Sequence, residues 1–177
     1  MSFLVTLLIA VSLSMDAFSL ALAYGTLCLD KKQILKSSFI VGLYHFFMPL
    51  LGMFIGSNLL HVLPIKPDFI VFVILSIIGL QMIIETFKEE KKLDLKGLGQ
   101  LLIFGLAVSI DSFSVGIGLE AISDNFIMCS CLFSLTSFVF TCLGLFLGKT
   151  INLLIGKVST IIGGVVLMLI GIIYLFQ

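Results

Sequence analysis

The chain alternates between long apolar runs and short polar segments, and six apolar runs can be distinguished. A helix needs about 20 predominantly apolar residues to cross the hydrocarbon core of a bilayer, and each run has roughly that length. Since lipid offers no partner to an unpaired backbone group, each run is predicted to be a transmembrane helix. The predicted spans are approximately Phe3–Thr26, Ile34–Leu60, Asp68–Phe87, Gly99–Leu119, Phe126–Gly148 and Gly156–Phe176. The pattern therefore predicts an all-α integral membrane protein, with residues 1–177 forming a single membrane domain.

The composition agrees with this pattern and argues against other classes of protein. Of the 177 residues, 60% are hydrophobic and 11% are charged, and the mean hydropathy is +1.28. A soluble domain is about 45–50% apolar and about 25% charged. The net charge is zero, so no basic surface invites nucleic acid. Because the spans leave no room for a soluble catalytic domain, and the four cysteines lack a zinc-type spacing, neither an enzyme activity nor a bound cofactor is expected.

The lysines are distributed unevenly between the two sides of a six-span arrangement. The first, third and fifth loops contain Lys31, Lys32, Lys36, Lys88, Lys91, Lys92, Lys96, Lys149 and Lys157. Only Lys66 falls on the other side. By the positive-inside rule the odd-numbered loops are cytoplasmic, so both termini are predicted to lie outside.

Two similar stretches each place one aspartate in the middle of a predicted span. The first, SLSMDAFSLALAYG, is Ser12–Gly25, and the second, AVSIDSFSVGIGLE, is Ala107–Glu120. When Asp16 is aligned with Asp111, further residues match: Ser14 with Ser109, Phe18 with Phe113, and Ser19 with Ser114. A charged side chain at the centre of a transmembrane helix costs roughly 2.5–3.5 kcal/mol, so its repetition indicates a function.

The aspartate motifs belong to a longer internal repeat. Asp16 and Asp111 are 95 residues apart, and GMFIGSNLL from Gly52 resembles GLFLGKTINLL from Gly144 at an offset of 92. The predicted organisation is repeat 1 over about 1–87, a polar cytoplasmic loop over 88–98 and repeat 2 over about 99–177. An odd number of spans in each half inverts the second half in the membrane, which is the architecture of many secondary transporters. Chance similarity between apolar segments is the alternative.

The polar residues around each aspartate recur at three- and four-residue spacing, which places them on one face of a helix. If the first and fourth spans cross near the axis that relates the repeats, the carboxylates of Asp16 and Asp111 converge. With adjacent hydroxyl groups they then form an all-oxygen site, which hard divalent cations prefer. The predicted supporting hydroxyls belong to Ser14, Ser19, Ser109 and Ser114. The alternative is a pair of protonated, hydrogen-bonded aspartates that only hold helices together.

Two close carboxylates in a low-dielectric site cannot both stay ionised while the site is empty, so at least one is expected to hold a proton. A divalent cation needs deprotonated ligands, so its binding should release protons. Alternating exposure of the site would give cation/proton antiport. Export from the cytoplasm follows if inward proton movement drives the exchange.

Small residues and one proline predict how the helices pack. Gly116 and Gly118 in the fourth span let helix backbones approach closely. Pro49 lies inside the second span, where it is expected to kink the helix, and Gly52 follows one turn later. These four residues are predicted to serve helix packing.

Two further residues have two interpretations each. Glu85 lies near the cytoplasmic end of the third span, where it is either a cation ligand or an interfacial acid beside Lys88. His45 lies one turn before Pro49, where it is either a hydrogen-bonded packing residue or a ligand. The sequence leaves both choices open.

Four segments together resemble the bacterial manganese efflux pump family of the MntP type. In chain order they are SMDAFSLALAYG, GLYHFFMPLLGMFIG, GLQMIIETF and AVSIDSFSVGIG. The resemblance implies six helices in two inverted repeats, placed in the bacterial cytoplasmic membrane, and Mn²⁺ as the exported substrate. It also implies that the essential aspartates of the family fall on Asp16 and Asp111, its first-motif glycine on Gly25 and its third-span acid on Glu85.

The chain departs from the family pattern at three positions. His45 stands where some members carry an acid, and Ser19 and Ser114 stand where alanine is frequent. The segment DSFSVGIG also resembles a branch of the family named for sporulation. A homo-oligomer is a further possibility that the sequence leaves open.

Other functions fit parts of the pattern. Transport of another cation or of a small solute such as an amino acid, or a membrane protein of sporulation with no transport activity, would use the same helices. A remote alternative is an intramembrane aspartyl protease, in which two aspartates on neighbouring helices share a proton. Such proteases typically carry a GxGD-like motif, whereas Ala107–Ile110 precede Asp111 here.

Overall fold

The structure, a computed structural model, describes residues 3–27, 29–60, 66–87, 97–120, 125–148, 150 and 153–176. Its helices are α1 (Phe3–Gly25), α2 (Lys31–Leu60), α3 (Pro67–Glu85), α4 (Leu98–Glu120), α5 (Phe126–Leu147) and α6 (Leu153–Leu175). Among the described residues there is no β-strand. The prediction of an all-α protein with six long apolar helices is confirmed. Its bounds hold to within three residues, the largest differences being the earlier beginnings of α2 and α6.

Local residues set the beginnings of three helices, two through polar caps and one through a proline. Before α2, the Asp30 carboxylate accepts a hydrogen bond from the Gln33 backbone N–H (2.7 Å), and the Gln33 side chain accepts one from the Asp30 N–H (3.2 Å). This reciprocal capping box extends α2 one turn ahead of its apolar run. Asn125 caps α5 by accepting a hydrogen bond from the Met128 N–H. α3 begins at Pro67, where the backbone N–H that proline lacks would have no partner within the helix.

All six helices are long and apolar enough to cross a membrane. Large apolar side chains are exposed along them, including Phe54, Leu135 and Phe176. A soluble monomer does not expose apolar surface on this scale, whereas a bilayer accommodates it. The chain is therefore a multi-pass membrane protein.

The helices pack as three close pairs, α1 with α5, α2 with α4, and α3 with α6. In addition, α1 lies along α6, and α2 lies along α5. The contact between α3 and α4 is much smaller than that between α1 and α6. This difference leaves space beside α4, and the cavity described below occupies it.

Close glycine contacts recur in the two halves of the chain. A Cβ added to Gly52 would meet three groups of α4, and a Cβ added to Gly144, 92 residues later, would meet three groups of α1. Each group of α1 precedes its counterpart in α4 by 95 residues. The counterparts are the carbonyl oxygens of Phe18 and Phe113, the backbone nitrogens of Leu22 and Ile117, and Ala21 with Gly116. The α1–α5 and α2–α4 pairs therefore pack alike at these positions.

Candidate cation site

A cavity of about 100 Å³ lies between α1, α3 and α4. Three acidic side chains that the sequence singled out line it, namely Asp16, Glu85 and Asp111. The other lining residues are Ile78, Gln81, Met82, Ala107 and Ile110. A cavity of this size admits a cation with a few water molecules. The structure thus brings the three acids to one space, while cation binding by them stays a prediction.

Helical spacing explains how each element contributes to the cavity. In α4, Ala107, Ile110 and Asp111 lie three and four residues apart and so share one face. In α3, the lining residues fall in the last two turns, ending at Glu85. Asp16 comes from the middle of α1. The cavity therefore lies toward the end of the bundle where α3 leads into the lysine-rich sequence 88–96.

Local hydrogen bonds hold the carboxylates of Glu85 and Asp111. The Gln81 side chain donates from Nε2 to Oε1 of Glu85 over 3.0 Å, one helical turn apart. The Asp111 Oδ1 atom accepts a hydrogen bond from the Ser112 backbone N–H over 2.9 Å. Asp16, Glu85 and Asp111 are all half-buried. Their side chains are thus accessible from the cavity and partly covered by the neighbouring helices.

The charges in the cavity favour a positive guest. Three carboxylates line the same cavity, and a cation or a proton between like charges relieves their mutual repulsion. Among the described residues, no three His, Cys, Asp or Glu side chains are arranged to hold a metal ion directly. Three acids around one cavity within membrane spans are an arrangement that commonly marks an ion pathway.

None of the four predicted supporting serines lines the cavity. The Ser14 hydroxyl lies 3.0 Å from the Ser137 hydroxyl of α5, and the Ser109 hydroxyl donates to a carbonyl oxygen one turn earlier in α4 (2.7 Å). Ser19 lies against α6, and Ser114 is half-buried. Ser14, Ser19 and Ser109 therefore contribute to helix packing or backbone contacts, and none of the four serines belongs to the cavity wall.

His45 is fully buried in α2 and does not line the cavity. Its Nδ1 atom lies 3.0 Å from the Val41 carbonyl oxygen, while Nε2 has no hydrogen-bond partner among the described residues. The residue 92 positions later is Ser137, which contacts Ser14 in the other half. This position favours the packing interpretation of His45.

The predicted glycines lie where helices approach each other. A Cβ on Gly25 would be 2.6 Å from a carbonyl oxygen of α5, and one on Gly116 would be 2.7 Å from the Pro49 Cα atom. Gly118 lies against Ile74 of α3, where an added Cβ would be 3.3 Å from the Ile74 Cδ1 atom. Gly25 thus serves the α1–α5 contact and does not line the cavity.

Sequence reasoning missed the residues that complete the cavity wall. Gln81 is the clearest case, because it is a polar residue inside an apolar span and lies one turn before Glu85. That spacing alone would have linked the two side chains. Met82 and Ile78 carry no such signal, since apolar residues on every face of α3 look alike in the sequence.

Comparison with known proteins finds one family. A family model described as "Putative manganese efflux pump" matches residues 28–175, a range that includes Glu85 and Asp111 and leaves Asp16 outside. Curated relatives named "Putative manganese efflux pump MntP" include one from Bacillus pumilus, 39% identical over 146 residues, covering 82% of this chain and 79% of the relative. Another, from Geobacillus thermodenitrificans, is 39% identical over 143 residues, covering 80% and 78%. No solved structure matches the chain.

Proposed function

Because this chain belongs to the manganese efflux pump family, we propose that it exports Mn²⁺ from the cytoplasm through the cavity between α1, α3 and α4. The observation that carries the proposal is the convergence of Asp16, Glu85 and Asp111 from three helices on that cavity. Carboxylate and water oxygens suit Mn²⁺ as ligands. Acids inside membrane spans are costly and commonly mark ion pathways.

The proposed ion keeps part of its hydration shell in the cavity. The carboxylates surround a space of about 100 Å³ without forming a closed set of protein ligands. A site of that kind suits a cation bound through one or two carboxylates and several waters. It also suits transport, because an ion held by a closed set of strong ligands would leave slowly.

Protons are the proposed coupling ion. When the cavity is empty, carboxylates that share a low-dielectric space cannot all stay ionised, so at least one is proposed to hold a proton. Binding of Mn²⁺ requires deprotonated carboxylates and so releases protons. If the cavity opens alternately to the two sides, Mn²⁺ leaves in exchange for protons that return to the carboxylates. Inward movement of protons then drives export.

The proposed architecture is a pair of inverted repeats, over about 1–87 and 99–177. The recurrence of the Gly52 contacts at Gly144 supports this assignment. In such an architecture Asp16 and Asp111 are equivalent positions related by an axis in the membrane plane. The cavity lies toward the lysine-rich sequence 88–96, so the proposed access is from the cytoplasm.

Transport by the purified protein tests the proposed cargo. In sealed vesicles, we expect uptake of Mn²⁺ that rises with an opposing pH gradient and is absent from vesicles without protein. The measurement uses a panel of Mn²⁺, Ca²⁺, Cd²⁺ and an amino acid, each with and without the gradient. Flux of another solute without flux of Mn²⁺ would show that the manganese assignment is wrong. Absence of flux for every solute would favour a membrane protein without transport activity.

Reporter fusions test the proposed orientation. With nine lysines in the odd-numbered loops or in the helix ends beside them, a reporter after Gln177 should lie outside the cytoplasm, and one inserted near Lys92 should lie inside. Alkaline phosphatase and green fluorescent protein fusions, active on opposite sides, give independent readings. A cytoplasmic C-terminus with Lys92 outside would contradict the orientation, because six spans would then place the cavity on the outer side. A C-terminus on the same side as Lys92 would contradict the inverted repeat, because the second half would then contain an even number of spans.

A further inference from the structure

The α3 and α6 helices form one closely packed unit. A Cβ added to Gly79 would meet the Gly164 carbonyl oxygen, and one added to Gly171 would lie 3.2 Å from the Phe72 carbonyl oxygen. Gly164 and Phe72 are themselves 92 residues apart, as are Gly171 and Gly79. The two contacts are therefore equivalent. Because the backbones of the two helices are in direct contact, one helix has little freedom to move without the other. We call these two helices the α3–α6 pair.

The α3–α6 pair packs against α1 in a defined register. A Cβ added to Gly163 of α6 would meet the Ser12 carbonyl oxygen and lie 3.2 Å from the Met15 Cβ atom. The Thr160 hydroxyl of α6 lies 3.5 Å from the Met15 carbonyl oxygen. These contacts close the space beside Asp16 on the α6 side.

The register between α3 and α4 is not equivalent. The residue equivalent to Met15 in the second half is Ile110, 95 positions later, and the residue equivalent to Thr160 in the first half is Asp68, 92 positions earlier. Equivalent packing of the two halves would therefore place Ile110 against Asp68. Instead, Ile110 lines the cavity together with the last two turns of α3, Ile78 to Glu85, and it is level with Met82, fourteen residues further along α3, when the register is taken from Gly118. The contact of Gly118 with Ile74 gives this register for these antiparallel helices. At 1.5 Å per residue, fourteen residues correspond to about 21 Å along the helix axis.

The α3–α6 pair therefore lies off the symmetric position between α1 and α4, while α1–α5 and α2–α4 are packed alike. In a chain of two inverted repeats, the mirror displacement makes the same kind of contacts, and such movements underlie alternating access in transporters of this architecture. We propose that the α3–α6 pair slides along α1 and α4 to this second position, closing the present cavity and opening a second cation cavity between α1 and α6. This inference rests on the transport function proposed above.

The repeat offsets give the walls of the second cavity. It would contain Asp16 and Asp111 again, together with the counterparts of the other lining residues. Those counterparts are Ser12, Met15, Ile170, Ile173 and Tyr174. The counterpart of Glu85 is Gln177, which is not acidic and lies outside the described residues.

The second cavity thus has two carboxylates where the present one has three. A divalent cation is held less strongly as negative ligands are lost. The cation is consequently bound on the side where Glu85 contributes and released on the side where it does not. Glu85 would then make the present cavity the tighter of the two, while the proton gradient drives export, and Asp16 with Asp111 would hold the ion in both positions.

Cysteine cross-linking tests the two registers. In a background with Cys28, Cys129, Cys131 and Cys142 replaced by alanine, the pair Met15→Cys with Thr160→Cys reports the present position. The pair Asp68→Cys with Ile110→Cys reports the second position, since those residues are about 21 Å apart along the axis in the present one. We expect both pairs to cross-link with a short thiol reagent, and each cross-link to stop Mn²⁺ flux until it is reduced.

The matched control is Leu75→Cys with Gly171→Cys, which joins α3 to α6 where a Cβ on Gly171 would lie 3.3 Å from the Leu75 Cβ atom. This link should form without stopping flux, because both helices move together. Cross-linking of 15 with 160 but never of 68 with 110 would overturn the inference. Cross-linking of 68 with 110 in a protein that carries no Mn²⁺ would instead reject the cargo and retain the movement.

A second measurement needs no cysteine variants. In vesicles of the two orientations, Glu85→Gln should raise the half-saturating Mn²⁺ concentration on the lysine-rich face by about tenfold or more, which corresponds to about 1.4 kcal/mol. The half-saturating concentration on the opposite face should not change. An equal effect on both faces would overturn the inference, because Glu85 would then contribute to both cavities.

Discussion

Asp16→Asn and Asp111→Asn are each expected to abolish Mn²⁺ export while leaving the amount of protein in the membrane near normal. Asparagine keeps the shape and the hydrogen-bonding capacity of aspartate but cannot ionise. Loss of one charged partner from a desolvated site commonly costs about 2–5 kcal/mol, which is roughly a 30-fold or greater loss of affinity. Vesicle uptake of Mn²⁺, normalised to the protein in the membrane, measures this effect.

The matched control for these variants is Asp30→Asn. Asp30 caps α2 from outside the cavity, and asparagine is an equally good cap, so transport should be unchanged. Aspartate-to-glutamate changes at 16 or 111 should rescue poorly, since one methylene displaces the carboxylate by about 1 Å. The double asparagine variant should be no worse than either single one, because the two carboxylates act as a unit. Full transport by either asparagine variant at normal protein level would contradict the cation site and favour aspartates that only hold helices together.

Gly52→Ala and Gly144→Ala are each expected to cause a marked loss of folded protein. A Cβ on Gly52 would collide with the Phe113 carbonyl oxygen, and one on Gly144 would lie 2.7 Å from the Phe18 carbonyl oxygen. Overpacking commonly costs about 1–3 kcal/mol, and here the obstacle is backbone that cannot rotate away. The measurement is the thermal stability and the monodispersity of the detergent-solubilised protein.

Gly99→Ala is the control for this prediction, because no atom outside its own turn lies within 4 Å of the added methyl group. In a helix this change should stabilise by about 0.5–1 kcal/mol. The two packing variants should also resemble each other, since Gly52 and Gly144 make equivalent contacts. Normal stability of Gly52→Ala with a strong loss in Gly144→Ala would argue against equivalent packing of the two halves.

The protease alternative and the cation site make different use of the same aspartates. A protease requires its two aspartates to differ in role, one as acid and one as base. Here Asp16 and Asp111 occupy equivalent positions in repeated motifs and share their cavity with Glu85. The relatives are named as efflux pumps. These observations favour ligation of a cation over peptide hydrolysis.

The sequence by itself determined the number and approximate bounds of the helices, because the thickness of a bilayer dictates the length of each apolar run. It also identified Asp16 and Asp111, since an acid within such a run is rare enough to stand out. It missed the first turn of α2, where the Asp30 and Gln33 cap extends the helix beyond its apolar residues. Hydropathy takes no account of such polar turns.

Only the tertiary structure decided which side chains meet. It placed Glu85 and Gln81 at the cavity of Asp16 and Asp111, and it placed Ser14 and His45 away from it. A membrane helix is apolar on the faces that meet lipid and on those that meet other helices, so its sequence carries little amphipathic pattern to distinguish them. Which face of a helix meets its neighbour is determined instead by where the two backbones can come into contact, as at Gly52 and Gly144. Such a contact depends on the shapes of both helices.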